Sequence, residues 1–256
     1  MTMTLSTLAR GSTLAVLLSC GPSLSQAATL LHYYDFNTDL NPGAPLVDLA
    51  GSANGTLQGG AQTQNGVLSL NGQDAYVQFA GMIIPATGSY SVTFNLARNS
   101  EQSGSFVEWL SQGQSGGPGF YIGTSPSGGI RVGDNWTPGA SPTPAGVLAH
   151  YALVVDASSN LSTLYIDGIN VANVAIAIGT GSGGSPTRLG RQFDPADEFF
   201  NGSMDELRIF DGALDDSAVA ALANPPPTRV PEPAGLALLS IALATMLPHL
   251  TARRRN

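Results

Sequence analysis

The chain is predicted to fold as an all-β protein, a two-sheet antiparallel β-sandwich or jelly roll with one short helix near its end. Three observations predict this. Gly and Pro number 31 and 17 in 256 residues, which is turn-rich. Short apolar runs with a period of two recur along the middle of the chain, and Gly, Asn and Pro separate them. With 43% hydrophobic residues the chain can still bury a core.

The runs are LLHYYDF, GVLSL, AYVQF, YSVTFNL, SFVEWLS, GFYIGT, GIRVG, HYALVVD, STLYID, INVANVAI, TRLGR and MDELRIF. In YSVTFNL, Tyr90, Val92, Phe94 and Leu96 alternate with Ser91, Thr93 and Asn95, so one face should meet core and the other water. Asp167-Gly168 supplies the positive backbone angles of a two-residue hairpin turn, which makes Tyr165 and Val171 cross-strand neighbours or nearly so. Asp215 is placed to cap a helix from Asp216 to Ala223, the only helix expected in the body.

The ends have a different character. Residues 1–27 carry Arg10, the apolar run Leu14 to Leu18, and Ser25-Gln26-Ala27, a small-x-small pattern that predicts a signal peptide cut after Ala27. Leu17-Leu18-Ser19-Cys20 also offers a looser lipoprotein box. Cys20 is the sole cysteine, so a cut after Ala27 leaves no disulfide. The body is predicted to span 28–224, followed by a stiff Pro-rich linker at 225–230. Residues 234–252 hold no charge and approach the length of a bilayer-crossing helix, with Arg253, Arg254 and Arg255 expected on the cytoplasmic side.

Between Leu30 and Asn224, five arginines and no lysine against 17 acidic residues leave a formal charge of −12. Such a surface repels phosphate backbones, so nucleic acid is excluded as a partner, while divalent cations are attracted.

Val230-Pro231-Glu232-Pro233, the apolar stretch and the arginine cluster together resemble a PEP-CTERM sorting signal, here residues 231–256. That resemblance implies a Gram-negative bacterium, recognition and cleavage by an exosortase, a transient inner-membrane intermediate, and delivery to the cell surface or extracellular polysaccharide. The body is similar to the LamG-like family of concanavalin A-type jelly rolls through LLHYYDFN, VDLAGSANGTLQGGA, LSLNGQDAYVQF, the HYALVVD and STLYIDGINVA pair, and GSMDELRIFDGALDDSAVAAL. The resemblance implies a binding or adhesion module, often carbohydrate-directed, and in many members a structural calcium ion. Asp48 and Asp205 match the calcium-holding positions, with the Asn54 carbonyl as a weaker third. The alternative is that Asp48 caps a turn and Asp205 pairs with Arg208 or a backbone amide.

Trp136, beside Asp134 and Asn135 in a Pro- and Gly-rich loop, is a candidate sugar-stacking ring flanked by polar groups. The alternative is a ring folded over a satellite core. Gly113-Gln114-Ser115-Gly116-Gly117 satisfies a nucleophile pattern, with Asp134 and His150 downstream, but it lacks the strand-then-helix context of a hydrolase elbow. No Glu-x-Asp-x-x-Glu strand is present. Glu101, Glu108, Glu198 and Glu206 are scattered, and Asp205 and Glu206 would point to opposite faces of a strand. His32 and His150 read as ordinary strand residues. The expectation is therefore an exported, non-catalytic glycan-binding module, with a divergent glycan hydrolase or lyase, or a purely structural matrix protein, as the other readings.

Overall fold

The computed structural model describes residues 28–225, apart from 103, 114–118, 134–135, 181–185 and 193–197. The predicted signal peptide with Ala27, nearly all of the linker, and the predicted sorting signal with its 234–252 helix lie outside the described residues, as does the Gly113–Gly117 pattern from position 114 on. Among the described residues, no helix is long and apolar enough to cross a membrane.

The sandwich is built from β1 (Thr29–Tyr34), β2 (Pro45–Leu46), β3 (Gly55–Gln58), β4 (Gln62–Gln64), β5 (Val67–Asn71), β6 (Tyr76–Phe79), β7 (Tyr90–Arg98), β8 (Val107–Gln112), β9 (Phe120–Thr124), β10 (Ile130–Val132), β11 (Ala149–Asp156), β12 (Leu161–Ile166), β13 (Ile169–Val174), β14 (Thr187–Leu189) and β15 (Asn201–Asp211). The helix α1 (Asp216–Ala223) follows. One eight-stranded sheet runs β13-β12-β11-β7-β15-β5-β4, with β1 also on β15. The other, seven-stranded, runs β10-β9-β8-β14-β6-β3-β2. The all-β, two-sheet antiparallel prediction therefore holds, and so does the short terminal helix.

Inward-facing side chains of both sheets make one core. At its centre Trp109 meets Phe94 edge-on at 6.3 Å and Tyr151 at 5.0 Å. Asp167 and Gly168 have φ of 50° and 78°, as the hairpin between β12 and β13 requires. A slip in register sets Tyr165 opposite Asn170 and Leu164 opposite Ala172, so Val171 is the bulged residue next to the partner of Tyr165.

One expectation fails. Ser91 and Thr93 do not face water: both are fully buried. Helix α1 lies over this part of the eight-stranded sheet, with Val219 buried among Ala152, Val154 and Tyr165. Ser91 Oγ donates to the Gly212 carbonyl and accepts from Leu214 N–H, both at 3.0 Å, tying the strand to the approach of the helix. Asp215 caps the helix as predicted, accepting from Ala218 N–H at 2.8 Å. The hairpin turn seats against the same helix, since a Cβ at Gly168 would fall 3.1 Å from the Ala220 Cα.

Asp205 and Glu206 also depart from expectation. Glu206 has φ of 56°, and the pairing of β15 with β7 slips between Asp205 and Arg208. With Met204 and Leu207 both in the core, the two acids between them lie on the same, outer side of the sheet.

Candidate functional site

Asp48 is the hub of the early loop. Its Oδ1 accepts from the backbone N–H of Tyr33, Ala50 and Gly51 at 3.0–3.2 Å. Its Oδ2 takes Ala53 N–H at 3.0 Å and a 2.6 Å bond with His32 Nδ1. Burial opposes the charge, yet the His32 bond and the Gly51, Tyr33 and Ala53 amides hold the carboxyl down at about 2. Gly51 cannot carry a side chain, because a Cβ would sit 2.7 Å from Asp48 Oδ2 and 2.9 Å from His32 Nδ1. His32 is thus the side-chain donor of this hub.

This donor set does not fit a calcium ion. Both Asp48 oxygens are occupied by hydrogen-bond donors, whereas calcium needs six to eight free oxygens. Asn54 does sit beside Asp48, but its Oδ1 accepts Asp48 N–H at 3.0 Å. Asp205 accepts from Glu206 N–H at 2.8 Å, and burial followed by the Glu206 charge pushes it up to about 6. Among the described residues, no group of three or more His, Cys, Asp or Glu is arranged to hold a metal.

Trp136 is a core residue, not an exposed platform. It is 7% exposed, belongs to the main hydrophobic core, and its carbonyl accepts Val132 N–H at 2.8 Å. The three-residue strand β10 ends at Val132, and the return of the chain through Trp136 folds the ring inward. Asp134 and Asn135 lie outside the described residues. His150 is a buried strand residue whose two ring nitrogens have no partner; burial and then Arg208 push it down to about 4.

A polar constellation lies elsewhere, on the outer face of the seven-stranded sheet. Because Trp109, Leu110, Ile122, Ile130 and Val132 face the core, Glu108, Tyr121 and Arg131 face away from it. A register slip between Glu108 and Leu110 lets both Trp109 and Leu110 turn inward while Glu108 stays out. Gly123 lies opposite Glu108 and leaves room for its carboxyl, since a Cβ there would come within 2.5 Å of Glu108 Oε2. Arg131 Nη2 pairs with Glu108 Oε1 and is 4.0 Å from Glu198 Oε2. The guanidinium lies 4.1 Å from the Phe106 ring and 3.9 Å from the Tyr121 ring, a desolvated cation between two π-faces. Glu108 N–H donates to the Glu198 carbonyl at 3.0 Å, fastening the segment before β15 to β8.

Glu108 is fully buried, and its Oε2 and that of Glu198 are shut from water with no donor of their own. Burial, opposed by Arg131 and reinforced by Glu198, pushes Glu108 well above the usual carboxyl range.

Beside the pair opens a cleft of about 510 Å³, lined among others by Gln73, Gln102, Ser105, Phe106, Glu198 and Phe199. Phe199 extends it towards Tyr76, 6.4 Å away between ring centroids, and the Arg191 guanidinium lies 4.9–5.0 Å from both rings. Sequence reasoning missed this site. Its signal was single charges of opposite sign, Glu108 in SFVEWLS and Arg131 in GIRVG, at out-facing positions of otherwise apolar strands.

A turn-linked all-β sandwich with a helix over one outer face, and aromatic and charged side chains on the other, defines a jelly roll of the concanavalin A-like class. The chain belongs to the concanavalin A-like lectin/glucanases superfamily, whose Laminin_G_3 family pattern matches residues 71–220. It is 26% identical over 215 residues to an alpha-L-arabinofuranosidase of Bifidobacterium longum, covering 72% of this chain but 20% of that protein. Its fold is similar to Domain 4 of AbnA, a GH43 extracellular arabinanase from Geobacillus stearothermophilus, in complex with arabinotriose, with a TM-score of 0.60, 22% identity, and coverage of 78% of this chain and 100% of that one. It is also similar to a Trypanosoma rangeli sialidase in complex with sialic acid, with a TM-score of 0.60 and 14% identity, over 82% of this chain and 35% of the other. The chain thus spans about a fifth of the arabinofuranosidase and a third of the sialidase, and the whole of the arabinanase domain.

Two predictions follow from this geometry. Millimolar calcium and excess chelator should give the same melting midpoint for the full chain, because a metal bound only by the native state must raise it; a calcium-dependent rise would mean that Asp48 gives up its donors. The second concerns Glu108. Its folded-state value is raised, so the unfolded chain releases a proton that the folded chain keeps, and stability falls as pH rises from the ordinary glutamate range towards that raised value. Glu108→Gln removes the dependence while keeping an acceptor for Arg131 and a donor for Glu198. It should stabilise the chain by about 1 kcal/mol or more at pH 7, with a gain that shrinks towards pH 4, in urea titrations across that range. A difference independent of pH would refute the raised Glu108 carboxyl.

Proposed function

We propose that this chain is an exported, non-catalytic glycan-binding module of the cell surface or extracellular matrix. The observation that carries the reading is the cleft on the outer face of the seven-stranded sheet. Two phenylalanine rings there stand beside amides, a hydroxyl and a carboxylate, the combination that stacks on the C–H face of a sugar and reads its hydroxyls. The arabinanase domain that this chain covers in full, and the sialidase, both carry sugars in their complexes, which supports a glycan partner.

The Glu108–Glu198 pair raises a second reading, a divergent glycan hydrolase. Its geometry favours binding. Glycosidase carboxyls flank a substrate that both can reach, whereas Glu108 has no exposed surface and is paired with Arg131. A buried carboxyl cannot protonate a leaving group.

The resemblance of the last residues to a PEP-CTERM signal supports the route: export after cleavage at Ala27, a transient inner-membrane stage, and sorting by an exosortase of a Gram-negative host at Pro231-Glu232-Pro233. Binding is checked by affinity electrophoresis of the full chain in gels containing the host polysaccharide. Retardation is expected, with Phe199→Ala weakening it about tenfold through loss of the stacking face; a wild-type chain that no glycan retards would be a structural matrix protein instead. For the tail, Glu232→Ala should leave unprocessed chain in inner-membrane fractions on immunoblots, and normal surface delivery would count against sorting.

A further inference from the structure

Glu198 differs from the other acids of the molecule in three ways. Its backbone sits at φ of 23°, in a left-handed region that residues with side chains seldom adopt, and the bond from Glu108 N–H to its carbonyl fixes it there. Its Oε2 is turned inward, shut from water and 4.0 Å from Arg131. Its side chain is nevertheless 21% exposed and lines the cleft, which leaves Oε1 as the oxygen open to a ligand.

The nearest cations stand behind the lining: Arg131 lies on the side of the inner oxygen, 4.0 Å from it, and Arg191 over the Phe199 ring. Gln73, Gln102 and Ser105 are uncharged, and Phe106 and Phe199 are aromatic. Arg131 is engaged by Glu108 and held between Phe106 and Tyr121. The only charged group in the described lining is thus the Glu198 carboxylate, with its outer oxygen towards the cleft and Arg131 behind it. A hydroxyl can donate to that oxygen, while a ligand carboxylate has no proton to give and brings like charge into a partly desolvated corner.

We infer that the cleft selects a sugar residue of an uncharged glycan, with Glu198 Oε1 accepting from one of its hydroxyls, and rejects uronate- and sialate-bearing glycans through the same carboxylate. Glu108 and Arg131 are positioning residues: they hold the inner oxygen so that the outer one faces the ligand. The inference rests on the reading of this cleft as the glycan site, and it adds the class of glycan and the residue that chooses it.

The test runs affinity electrophoresis of the full chain against neutral polymers (debranched arabinan, galactan and mixed-linkage β-glucan) and acidic ones (polygalacturonate and alginate) at fixed salt. Wild type should be retarded by at least one neutral polymer and by neither acidic one. Glu198→Gln keeps the size of the side chain and removes its charge. It should weaken neutral binding about tenfold, the worth of a charge-assisted hydrogen bond, and narrow the gap between neutral and acidic polymers. An unchanged melting midpoint for the variant shows that it is folded; should it melt early, Glu198→Asp, which keeps the charge but draws it back, must lose neutral binding without gaining acidic binding. Retardation of wild type by the acidic polymers alone overturns the selectivity and leaves glycan binding standing. Neutral binding that Glu198→Gln leaves intact overturns the role of Glu198. Retardation by neither class overturns the glycan reading itself and this inference with it.

Discussion

The architecture depends on the backbone pairing of β15. Its first half, Asn201 to Met204, pairs with β5, and its second half, from Leu207 to Asp211, pairs with β1. Its other edge runs along β7. One late strand therefore joins the start of the domain, its middle and the helix that follows. Such pairing is non-local and closes large loops before it gains any hydrogen bond, so a sandwich of this kind holds together as a unit or not at all. The same strand fixes the candidate site, because Glu198 lies three residues before it and is carried to β8 by the pairing that β15 completes.

The two outer faces are treated differently, and this difference decides where function can sit. On the eight-stranded sheet, α1 and the segment before it cover Ser91, Ala152 and Val154, and Ser91 spends its hydroxyl on that segment. On the rest of that face Tyr33 donates to Glu206, Arg208 pairs with Glu206, and the Arg208 guanidinium lies 4.5 Å from the Tyr33 ring, while the buried His150 keeps both ring nitrogens without a partner. On the seven-stranded sheet no described helix intervenes. There the buried charges leave a carboxylate at the edge of an open cleft, where a ligand can reach it.

The strand pattern was legible because alternation records burial directly. All twelve apolar runs became strands, and the Asp167-Gly168 turn and the Asp215 cap are local chemistry that tertiary structure had no reason to overrule. β2, β3 and β4 were not legible as runs: Pro45–Leu46, Gly55–Gln58 and Gln62–Gln64 are two to four residues long and mostly polar or small, too short for a period to show. The candidate site was hidden for another reason. Glu108, Arg131 and Glu198 lie far apart in sequence and meet only through sheet pairing, so no local spacing announces them. Trp136 misled because a Pro- and Gly-rich loop reads as exposed, while a single bridge to Val132 is enough to return the ring to the core.

Core and site turn out to be one packing problem. The slip in β8 that puts Trp109 and Leu110 side by side against Phe94 and Tyr151 is also what keeps Glu108 on the outer face. Gly123, opposite, is empty space in the sheet that the Glu108 carboxyl fills. A buried acid is a poor way to stabilise a sheet, since apolar groups of the same shape do as well or better. Its presence at this point, with an arginine clamped between two rings in front of it, makes sense as orientation: it holds Glu198 in a strained conformation that an unconstrained loop would relax. The rigidity of the sandwich is thereby passed to a single carboxylate oxygen, and a preorganised acceptor of that kind serves recognition better than proton transfer, which would require the buried partner to reach the ligand.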